Sequence, residues 1–320
     1  MKPTQHQQNE VREDYIHDRF VIIAPKRSQR PHDVHQVNTE IPVKSKDCPF
    51  CREVEHPAQS PLFQVGPDKK WEVKVIKNIF PVVSWKTPKA YGHQEVVIET
   101  SRHNRELADF SEGHIIRLFD AYIARTRELM KDKKIIYILI FKNHGGKAGQ
   151  SLIHAHSQIF STSFLPPHII DKLTRSQHYR IQHGTCFYCD LHAKEVRGPR
   201  KIYNDKYVAA FTPYASSYNY EAWIIPKRHI DNITHLNTKE LASIAHVLKR
   251  VIGGINKLNL PYNYYLHQAV TDKDEHLYLR ICPRRDIWAG IELGSRLIIN
   301  SVAPEDAATY YRKLFKTKRI

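Results

Sequence analysis

The chain has 320 residues, and its 49 lysines and arginines exceed its 33 aspartates and glutamates by 16. Hydrophobic residues make up 41% of the chain and charged residues 26%. This composition excludes disorder as the main state, because that much apolar side chain can offset the conformational entropy lost on folding. The positive charge favours anionic partners such as nucleotides, sugar phosphates, nucleic acid or an anionic membrane surface.

The sequence predicts neither export nor membrane insertion. Residues 1–14 are polar, and the longest strongly apolar run, Ile135–Phe141, is far shorter than a membrane span. The five cysteines form two pairs and one single residue. Without an export signal, such pairs are more typical of metal sites than of disulfides. We therefore expect a cytoplasmic protein with no membrane partner.

The first half predicts strands, a helix and two further strands. Ser111 can cap a helix that runs to about Lys131, because apolar residues recur there at helical spacing. The predicted strands are Trp71–Val75, Glu95–Ile98, Ile135–Phe141 and Leu152–Phe160. The loop Asn143–Gly146 separates the last two strands.

The second half repeats this order. Thr238 can cap a helix that extends to about Leu258, and a last helix begins after Pro304. The predicted strands are Tyr207–Phe211, Glu221–Ile225, Asn263–His267 and His276–Cys282, and the predicted connector between the halves comprises Leu165–Pro167 and Ser176–Gly184. We therefore expect an α+β fold of two related units, residues 1–170 and 171–320, with antiparallel-rich sheets flanked by helices.

Each half opens on a Cys-x-x-Cys pair, which at this spacing can supply half of a tetrahedral zinc shell. The predicted ligands are Cys48, Cys51, His103 and His154 at the first site, and Cys186, Cys189, His229 and His276 at the second. Buried or redox-active cysteines are the alternative interpretation. Four protein ligands leave no position for water, so we expect two structural zinc ions per chain.

The densest polar cluster is the segment Ser151–Phe160. Alternate residues of a strand share a face. One face would then carry His154, His156 and Gln158, and the other would carry Ile153, Ala155, Ser157 and Ile159. These histidines either belong to an ordinary sheet face beside a metal or form a reactive row.

The reactive row suits attack on a phosphate. A neutral imidazole can form a covalent phosphoryl-type intermediate, provided that an acceptor such as a backbone carbonyl fixes its tautomer. Gln158 can donate to a phosphoryl oxygen that gains charge in the transition state. Just before the strand, Gly145, Gly146 and Gly149 allow the backbone to approach phosphates closely, and Ser151 adds a hydroxyl group.

This cluster resembles the active-site motif of the galactose-1-phosphate uridylyltransferase-like branch of the histidine-triad superfamily. Further segments match in chain order: Arg27-x-x-Arg30-Pro31, Asn78-Ile79-Phe80-Pro81, Gly92 to His103, and Gly290-Ile291-Glu292-Leu293-Gly294. The resemblance extends from about Arg12 to Ala308. It implies that the substrate-binding residues are Arg27, Arg30, Asn78, Phe80, Asn143, Gly149, Ser151 and Glu292.

The resemblance also implies a reaction in two steps. His156 would attack the α-phosphate of a nucleotide sugar, hexose 1-phosphate would leave, and a second phosphate would take the nucleotidyl group from the histidine. The carbonyl group of His154 would orient His156, and Gln158 would contact the phosphoryl group. The family is commonly dimeric, with C-terminal residues completing the partner's sugar pocket, so a homodimer is expected.

Two departures leave the acceptor and one metal open. Uridylyltransferases of the family typically show His-Pro-His-Gly-Gln, whereas this chain has His154-Ala155-His156-Ser157-Gln158, which is more similar to the ADP-glucose phosphorylase branch. The second pair, Cys186-x-x-Cys189, also resembles that branch. The acceptor is therefore either a hexose 1-phosphate or inorganic phosphate, and the second site holds zinc or iron.

The duplication predicts one active site per chain. Aligning the halves on their last metal ligands sets His156 and Gln158 against Tyr278 and Arg280, so the second unit lacks the nucleophile. Two other functions stay open at this point: processing or simple binding of nucleic acid, a partner that the absence of a nucleic-acid motif disfavours, and a non-catalytic, zinc-stabilised binding protein. His156 and Gln158 argue against the second of these.

Overall fold

The computed structural model describes residues 9–16, 19–29, 45–51, 60–68, 70–270 and 275–316. Its helices are α1 (Glu112–Leu129), α2 (Pro167–His183), α3 (Phe187–Glu195), α4 (Thr238–Lys257), α5 (Gly290–Ser295) and α6 (Pro304–Lys316). Its strands are β1 (Glu10–Glu13), β2 (Phe20–Ile23), β3 (Phe63–Val65), β4 (Val73–Lys77), β5 (Gly92–Ile98), β6 (Tyr137–His144), β7 (His156–Thr162), β8 (Lys201–Asn204), β9 (Val208–Phe211), β10 (Ala222–Pro226), β11 (Tyr262–His267), β12 (Tyr278–Pro283) and β13 (Ile298–Asn300).

Both halves contribute to one ten-stranded sheet. Its order is β3-β4-β5-β7-β6-β11-β12-β10-β9-β8, and each neighbouring pair is antiparallel. Strands β6 and β11 join the halves, with Asn143 opposite Asn263 and Phe141 opposite Tyr265. A small second sheet pairs β1 with β2 antiparallel and β2 with β13 parallel. The α+β class with an antiparallel-rich sheet is confirmed.

The strand order is the same in each half when it is read inward from the edges of the sheet. The first half runs β3-β4-β5-β7-β6, and the second runs β8-β9-β10-β12-β11. In both, the two strands that follow the long helix of the half exchange places in the sheet. Strands β7 and β12 therefore occupy equivalent positions, which allows their residues to be compared directly.

Helices α1 and α4 cover one face of the sheet and share its main core. The predicted helix start at Ser111 is confirmed, because the Ser111 side chain accepts a hydrogen bond from the backbone of His114. The buried Tyr122 hydroxyl joins α1 to both halves of the sheet, at 2.6 Å from the Ser157 hydroxyl and 2.7 Å from that of Tyr264. Helices α1 and α4 therefore separate this face of the sheet from solvent.

The opposite face differs between the halves. Over the second half, α3 packs on an apolar cluster that includes Phe211, Trp223 and Tyr278. Over the first half, Phe50, between the two cysteines of the first pair, packs on Ile76, Val96 and Ile98. The predicted reactive row lies on this face of β7.

The predicted connector is wrong for Ser176–Gly184, because the chain forms helix α2 there. Ile169, Lys172 and Ser176 recur at helical spacing and are buried, which is the periodicity that a polar composition concealed. The helix ends at Gly184, whose φ of 72° suits glycine and whose amide donates to the Arg180 carbonyl at 2.7 Å.

Several predicted boundaries also move. Strand β7 begins at His156 and not at Leu152, and β12 begins at Tyr278 and not at His276, because each preceding histidine turns its ring toward a cysteine cluster instead of joining the ladder. Strand β6 extends to His144, through part of the predicted loop, because β11 pairs with it there. Asn237, not Thr238, caps α4.

Candidate active site

The structure brings the four predicted ligands of the first site together. The donor atoms of Cys48, Cys51, His103 and His154 all lie within 4.8 Å of one another, and the four residues are buried. The Cys51 Sγ atom lies 3.4 Å from Nδ1 of His103 and 3.6 Å from Nδ1 of His154. Two thiols and two imidazoles at these distances fit a structural zinc ion.

The orientation of His154 supports this use. Its Nε2 atom donates to the backbone carbonyl of Thr100 at 2.7 Å, which leaves Nδ1 facing the cysteines. Burial, the largest cause, lowers the pKa of His154 to about 4. The ring is therefore neutral at physiological pH, as a metal ligand must be, and its second nitrogen is anchored.

At the second site the structure forms two overlapping groups. Cys186, Cys189 and His229 form one, and Cys189, His192 and His276 form the other. The Cys189 Sγ atom lies 3.5 Å from Nδ1 of His229. Sequence reasoning missed His192, although it follows Cys189 by three residues on α3, a spacing that puts both on one helix face.

His156 is the first residue of β7, and its ring is oriented by the backbone. Its Nδ1 atom donates to the carbonyl group of His154 at 2.9 Å, which leaves Nε2 with a lone pair. The ring of Phe50 lies 5.2 Å from the His156 ring, centroid to centroid. Burial lowers the pKa of His156, which favours the neutral, nucleophilic imidazole.

Gln158 is held by two amide groups. Its Oε1 atom accepts hydrogen bonds from Nε2 of Gln94 at 2.7 Å and from Nδ2 of Asn78 at 3.4 Å. Because both donors use the oxygen, the amide NH₂ group is the part of Gln158 that can donate to a ligand. Gln158 is thereby oriented as a donor before any substrate binds.

Gln94 is a second residue that sequence reasoning missed. Its Oε1 atom accepts from the backbone amide of Val82 at 2.8 Å, so one side chain joins the Asn78–Val82 loop to Gln158. Strand pairing places Gln94 opposite Phe160, two residue pairs beyond Val96 and Gln158. No sequence signal separates Gln94 from other strand glutamines, since its role depends on this non-local pairing.

The predicted phosphate loop is braced by the second half of the chain. Nδ2 of Asn263 donates to Oδ1 of Asn143 and to the carbonyl group of Ala148, both at 2.8 Å. Gly149 has a φ of 81°, a backbone conformation that favours glycine. Ser151, which follows it, is exposed.

Lys142 supports the strand from the helix-covered face. Its fully buried Nζ atom donates to the carbonyl group of His156 at 3.3 Å and to Oε2 of Glu99 at 2.7 Å, and it lies 3.1 Å from Oε2 of Glu106. Burial opposes charge at Lys142, but Glu106 and Glu99 raise its pKa overall. This buried ion cluster was not predicted from the sequence.

Of the other predicted substrate residues, only Phe80 joins this network among those that the structure describes. Phe80 is 83% exposed, and its amide donates to Oδ1 of Asn78. Arg27 is exposed after β2, and Arg30 lies outside the described residues. The carboxylate of Glu292 accepts from the Ala289 amide at the start of α5. Within the described ranges, neither Arg27 nor Glu292 hydrogen-bonds His156 or Gln158.

Of the four residues predicted on the strand face opposite His156 and Gln158, one is misplaced. Ala155, Ser157 and Ile159 are buried under the helices, but Ile153 is 53% exposed, because the chain has not yet joined the sheet there.

A cavity of about 640 Å³ lies beside Asn78 and Gln94 and does not reach His156. Among the described helices, none is long and apolar enough to cross a membrane.

Comparison with known proteins identifies relatives over nearly the whole chain. Residues 63–166 match the family profile of the galactose-1-phosphate uridyl transferase N-terminal domain. An ADP-glucose phosphorylase of Arabidopsis thaliana is 32% identical, over 98% of this chain and 95% of its own length. A galactose-1-phosphate uridylyltransferase of Thermotoga maritima is 30% identical, over 95% of this chain and 98% of its own length.

A solved structure has the same architecture. The crystal structure of an Arabidopsis thaliana ADP-glucose phosphorylase with bound ADP-glucose superposes with a TM-score of 0.86 at 31% identity. The superposition covers 97% of this chain and 100% of that one. The superposed region therefore includes both halves of the chain and the joint between them.

Proposed function

This chain belongs to the galactose-1-phosphate uridylyltransferase family of nucleotidyltransferases, within the histidine-triad superfamily, and we propose that it moves a nucleoside monophosphate between a nucleotide sugar and a hexose 1-phosphate through a covalent nucleotidyl-histidine. The observation that carries this proposal is the hydrogen bond from Nδ1 of His156 to the carbonyl group of His154. It leaves Nε2 as the nucleophilic atom, beside a pre-oriented Gln158 amide.

In the first step, Nε2 of His156 attacks the α-phosphorus atom of the nucleotide sugar. The new P–N bond forms as the P–O bond to hexose 1-phosphate breaks, and the leaving phosphate takes the electron pair. Nδ1 keeps its proton throughout, and the His154 carbonyl stabilises the positive charge that the ring acquires. The Gln158 amide donates to a phosphoryl oxygen.

In the second step, a phosphate oxygen of the acceptor attacks the same phosphorus atom. The P–N bond breaks, its electron pair returns to Nε2, and His156 is neutral again. The loop of Asn143 and Gly149, together with Ser151, supports the phosphates, and Asn78 and Phe80 bind the nucleoside. Arg27 and Arg30 provide further phosphate contacts in this proposal.

The proposal places this chemistry in residues 1–170 and assigns residues 171–320 a supporting role. Two metal ions per chain complete it: zinc at Cys48, Cys51, His103 and His154, and zinc or iron at Cys186, Cys189, His229 and His276. Bound metal supplies structural cross-linking, because the protein donors fill its coordination shell. His154 would thus carry the carbonyl that orients His156 while its ring is clamped.

A homodimer in the cytoplasm completes the proposal. Glu292 on α5 would bind the sugar in the partner's site, as the family resemblance implies. Helix α5 and the residues before it expose large apolar side chains, including Ile287, Ile291 and Leu293. Such an exposed apolar patch favours an interface with a second copy of the chain. Analytical ultracentrifugation tests this part: a dimeric mass supports it, and a monomer at micromolar concentration contradicts it.

A second candidate uses inorganic phosphate as the acceptor, which makes the enzyme a nucleotide-sugar phosphorylase. Two observations favour it: the Ser157 variant of the motif and the identity of 32% with a protein named ADP-glucose phosphorylase. Both candidates share the first step and differ only in what removes the nucleotidyl group from His156.

The two candidates are distinguished with UDP-glucose and ADP-glucose, each labelled at the α-phosphate. We expect acid-labile, base-stable label on the protein. Release by galactose 1-phosphate, with formation of a new nucleotide sugar, supports the first candidate. Release by inorganic phosphate, with formation of a nucleoside diphosphate, supports the second. Absence of label with every nucleotide sugar would contradict both.

A further inference from the structure

The second cysteine cluster holds one more donor than a four-ligand site needs. Cys189 belongs both to the group with Cys186 and His229 and to the group with His192 and His276. In each group, all donor atoms lie within 4.8 Å of one another. The first cluster, by contrast, forms a single group of four.

The ring of His192 is oriented as a ligand would be. Its Nε2 atom is buried and has no hydrogen-bond partner among the residues that the structure describes. Its other ring nitrogen hydrogen-bonds the backbone of Lys227. An anchored imidazole with an unpartnered buried nitrogen is the arrangement that metal-binding histidines adopt.

His276 faces the same point in the same manner. Its Nδ1 atom donates to the carbonyl group of Leu277 at 2.9 Å, and its buried Nε2 atom likewise has no partner in the described part of the chain. The two ring centroids are 6.2 Å apart. Two buried, unpartnered imidazole nitrogens thus converge beside the Cys189 thiol, and a metal ion is the group that would satisfy both.

We propose that His192 is a ligand of the second metal ion, together with Cys189 and His276. This assignment adds a fifth donor to the set of Cys186, Cys189, His229 and His276. It does not depend on the reaction at His156, since it concerns only the metal centre of the second half. The coordination shell then holds one more imidazole than that of the first site.

The ligand set is measured by replacing the native metal of the wild-type protein with ¹¹³Cd. Couplings between ¹¹³Cd and imidazole ring protons are then counted in a correlation spectrum. We expect His192→Asn to remove one coupled imidazole ring from the spectrum. His178→Gln, at an exposed position on α2, is the matched control and should remove none.

Zinc itself provides the second readout. For the zinc-loaded protein, we expect His192→Asn to release one of its two ions to a chromogenic chelator at least about tenfold faster than wild type, and the other at the wild-type rate. An unchanged ring count together with unchanged release would overturn the proposal. If the variant does not fold, the wild-type spectrum decides: no more than four coupled rings would overturn it, and five would support it.

Discussion

The two halves of the molecule place different residues at the same position of the same fold. His156 and Tyr278 each begin a central strand, two residues after a histidine of a cysteine cluster. His156 keeps Nε2 free of the hydrogen bond that Nδ1 makes to the His154 carbonyl, whereas Tyr278 stacks on Trp223, with ring centroids 4.4 Å apart and planes at 10°. The first half therefore has a potential nucleophile at this position, and the second half has an aromatic ring that packs against its neighbours.

The buried lysines show how this difference arises. In the first half, Lys142 lies on the helix-covered face and reaches the His156 carbonyl from beneath the sheet. In the second half, Lys172 of α2 lies on the opposite face, hydrogen-bonds the Tyr278 hydroxyl and contacts the Tyr278 ring 4.4 Å from its centroid. Helix α2 therefore covers the position at which a substrate would have to bind.

The comparison indicates that the cysteine cluster and the strand form a scaffold, and that catalysis needs two further features. One is an imidazole at the first strand position, and the other is a strand face that helix α2 leaves uncovered. The second half has neither. Matched substitutions in the two halves test this division of roles.

The largest effect is expected for His156→Ala. Tyr278→Phe, at the equivalent position of the second half, is its matched control. Loss of the nucleophile should lower kcat by at least about 10⁴-fold, as in other enzymes that lose an essential nucleophile. Tyr278→Phe removes only a hydroxyl group from the covered position and should leave kcat within about twofold. Steady-state transfer with a nucleotide sugar measures both.

A result in which both variants lose activity equally would contradict the single-site account. Circular dichroism and metal content, measured on both proteins, show whether a loss comes from misfolding. The central distinction between the halves survives only if Tyr278→Phe remains active.

Lys142→Met should have the next largest effect, on stability. It leaves the buried carboxylates of Glu99 and Glu106 without their cation, a change that typically costs about 3–5 kcal/mol. Urea denaturation at pH 7 measures the free energy of unfolding. A variant as stable as wild type would show that the cluster is not held by charge.

The same cluster predicts a pH dependence. Burial opposes ionisation of Glu106, but Lys142 and His144 lower its pKa to about 2. Its stabilising contribution is therefore present above the unfolded-state pKa of about 4.3 and is lost as pH falls toward 2. In Lys142→Met, the free energy of unfolding should depend less steeply on pH over this range.

Substitutions of Gln94 test whether it positions Gln158. Gln94→Leu removes both hydrogen bonds, whereas Gln94→Glu keeps an acceptor for the Val82 amide but, when ionised, cannot donate to Gln158. We expect both to lower kcat about tenfold with little change in KM. A misaligned Gln158 amide stabilises the transition state less, whereas substrate binding depends on it little. Wild-type kcat for Gln94→Glu would show that the residue only anchors the loop.

The smallest effect on activity is expected for Lys172→Met. Burial lowers the pKa of Lys172 well below its usual value, so the substitution removes a buried amine whose charged form is disfavoured. The kcat should stay within about twofold of wild type, and the free energy of unfolding at pH 7 should be unchanged or higher. A tenfold loss of kcat would mean that the second half takes part in the reaction.

The sequence predicted those parts of the fold that local patterns determine. Helix α1 was placed nearly to the residue, because Ser111 and the apolar spacing define it. Four strands of each half were also predicted in their order along the chain, but the edge strands β3 and β8 were not. What was missed depends on distant partners: the extension of β6 to His144 needs β11, and the single ten-stranded sheet needs that same pairing. Helix α2 was missed because its outer surface is polar.

The same distinction applies to the candidate site. The cysteine pairs and the His154–Gln158 row are local, so their chemistry was visible in the sequence. Gln94, Lys142 and Asn263 act on that row from other strands, and nothing local marks them. Glu292 and Arg27 were carried over from the family resemblance, and the described chain does not join them to His156.

The most direct test of the account is to locate the covalent adduct. The protein is mixed with a nucleotide sugar in the absence of acceptor, digested under mildly basic conditions and mapped by tandem mass spectrometry. We expect one nucleoside monophosphate per chain, attached to the His156 imidazole on the peptide that contains this residue. An adduct on any other residue, or transfer activity without any adduct, would contradict it.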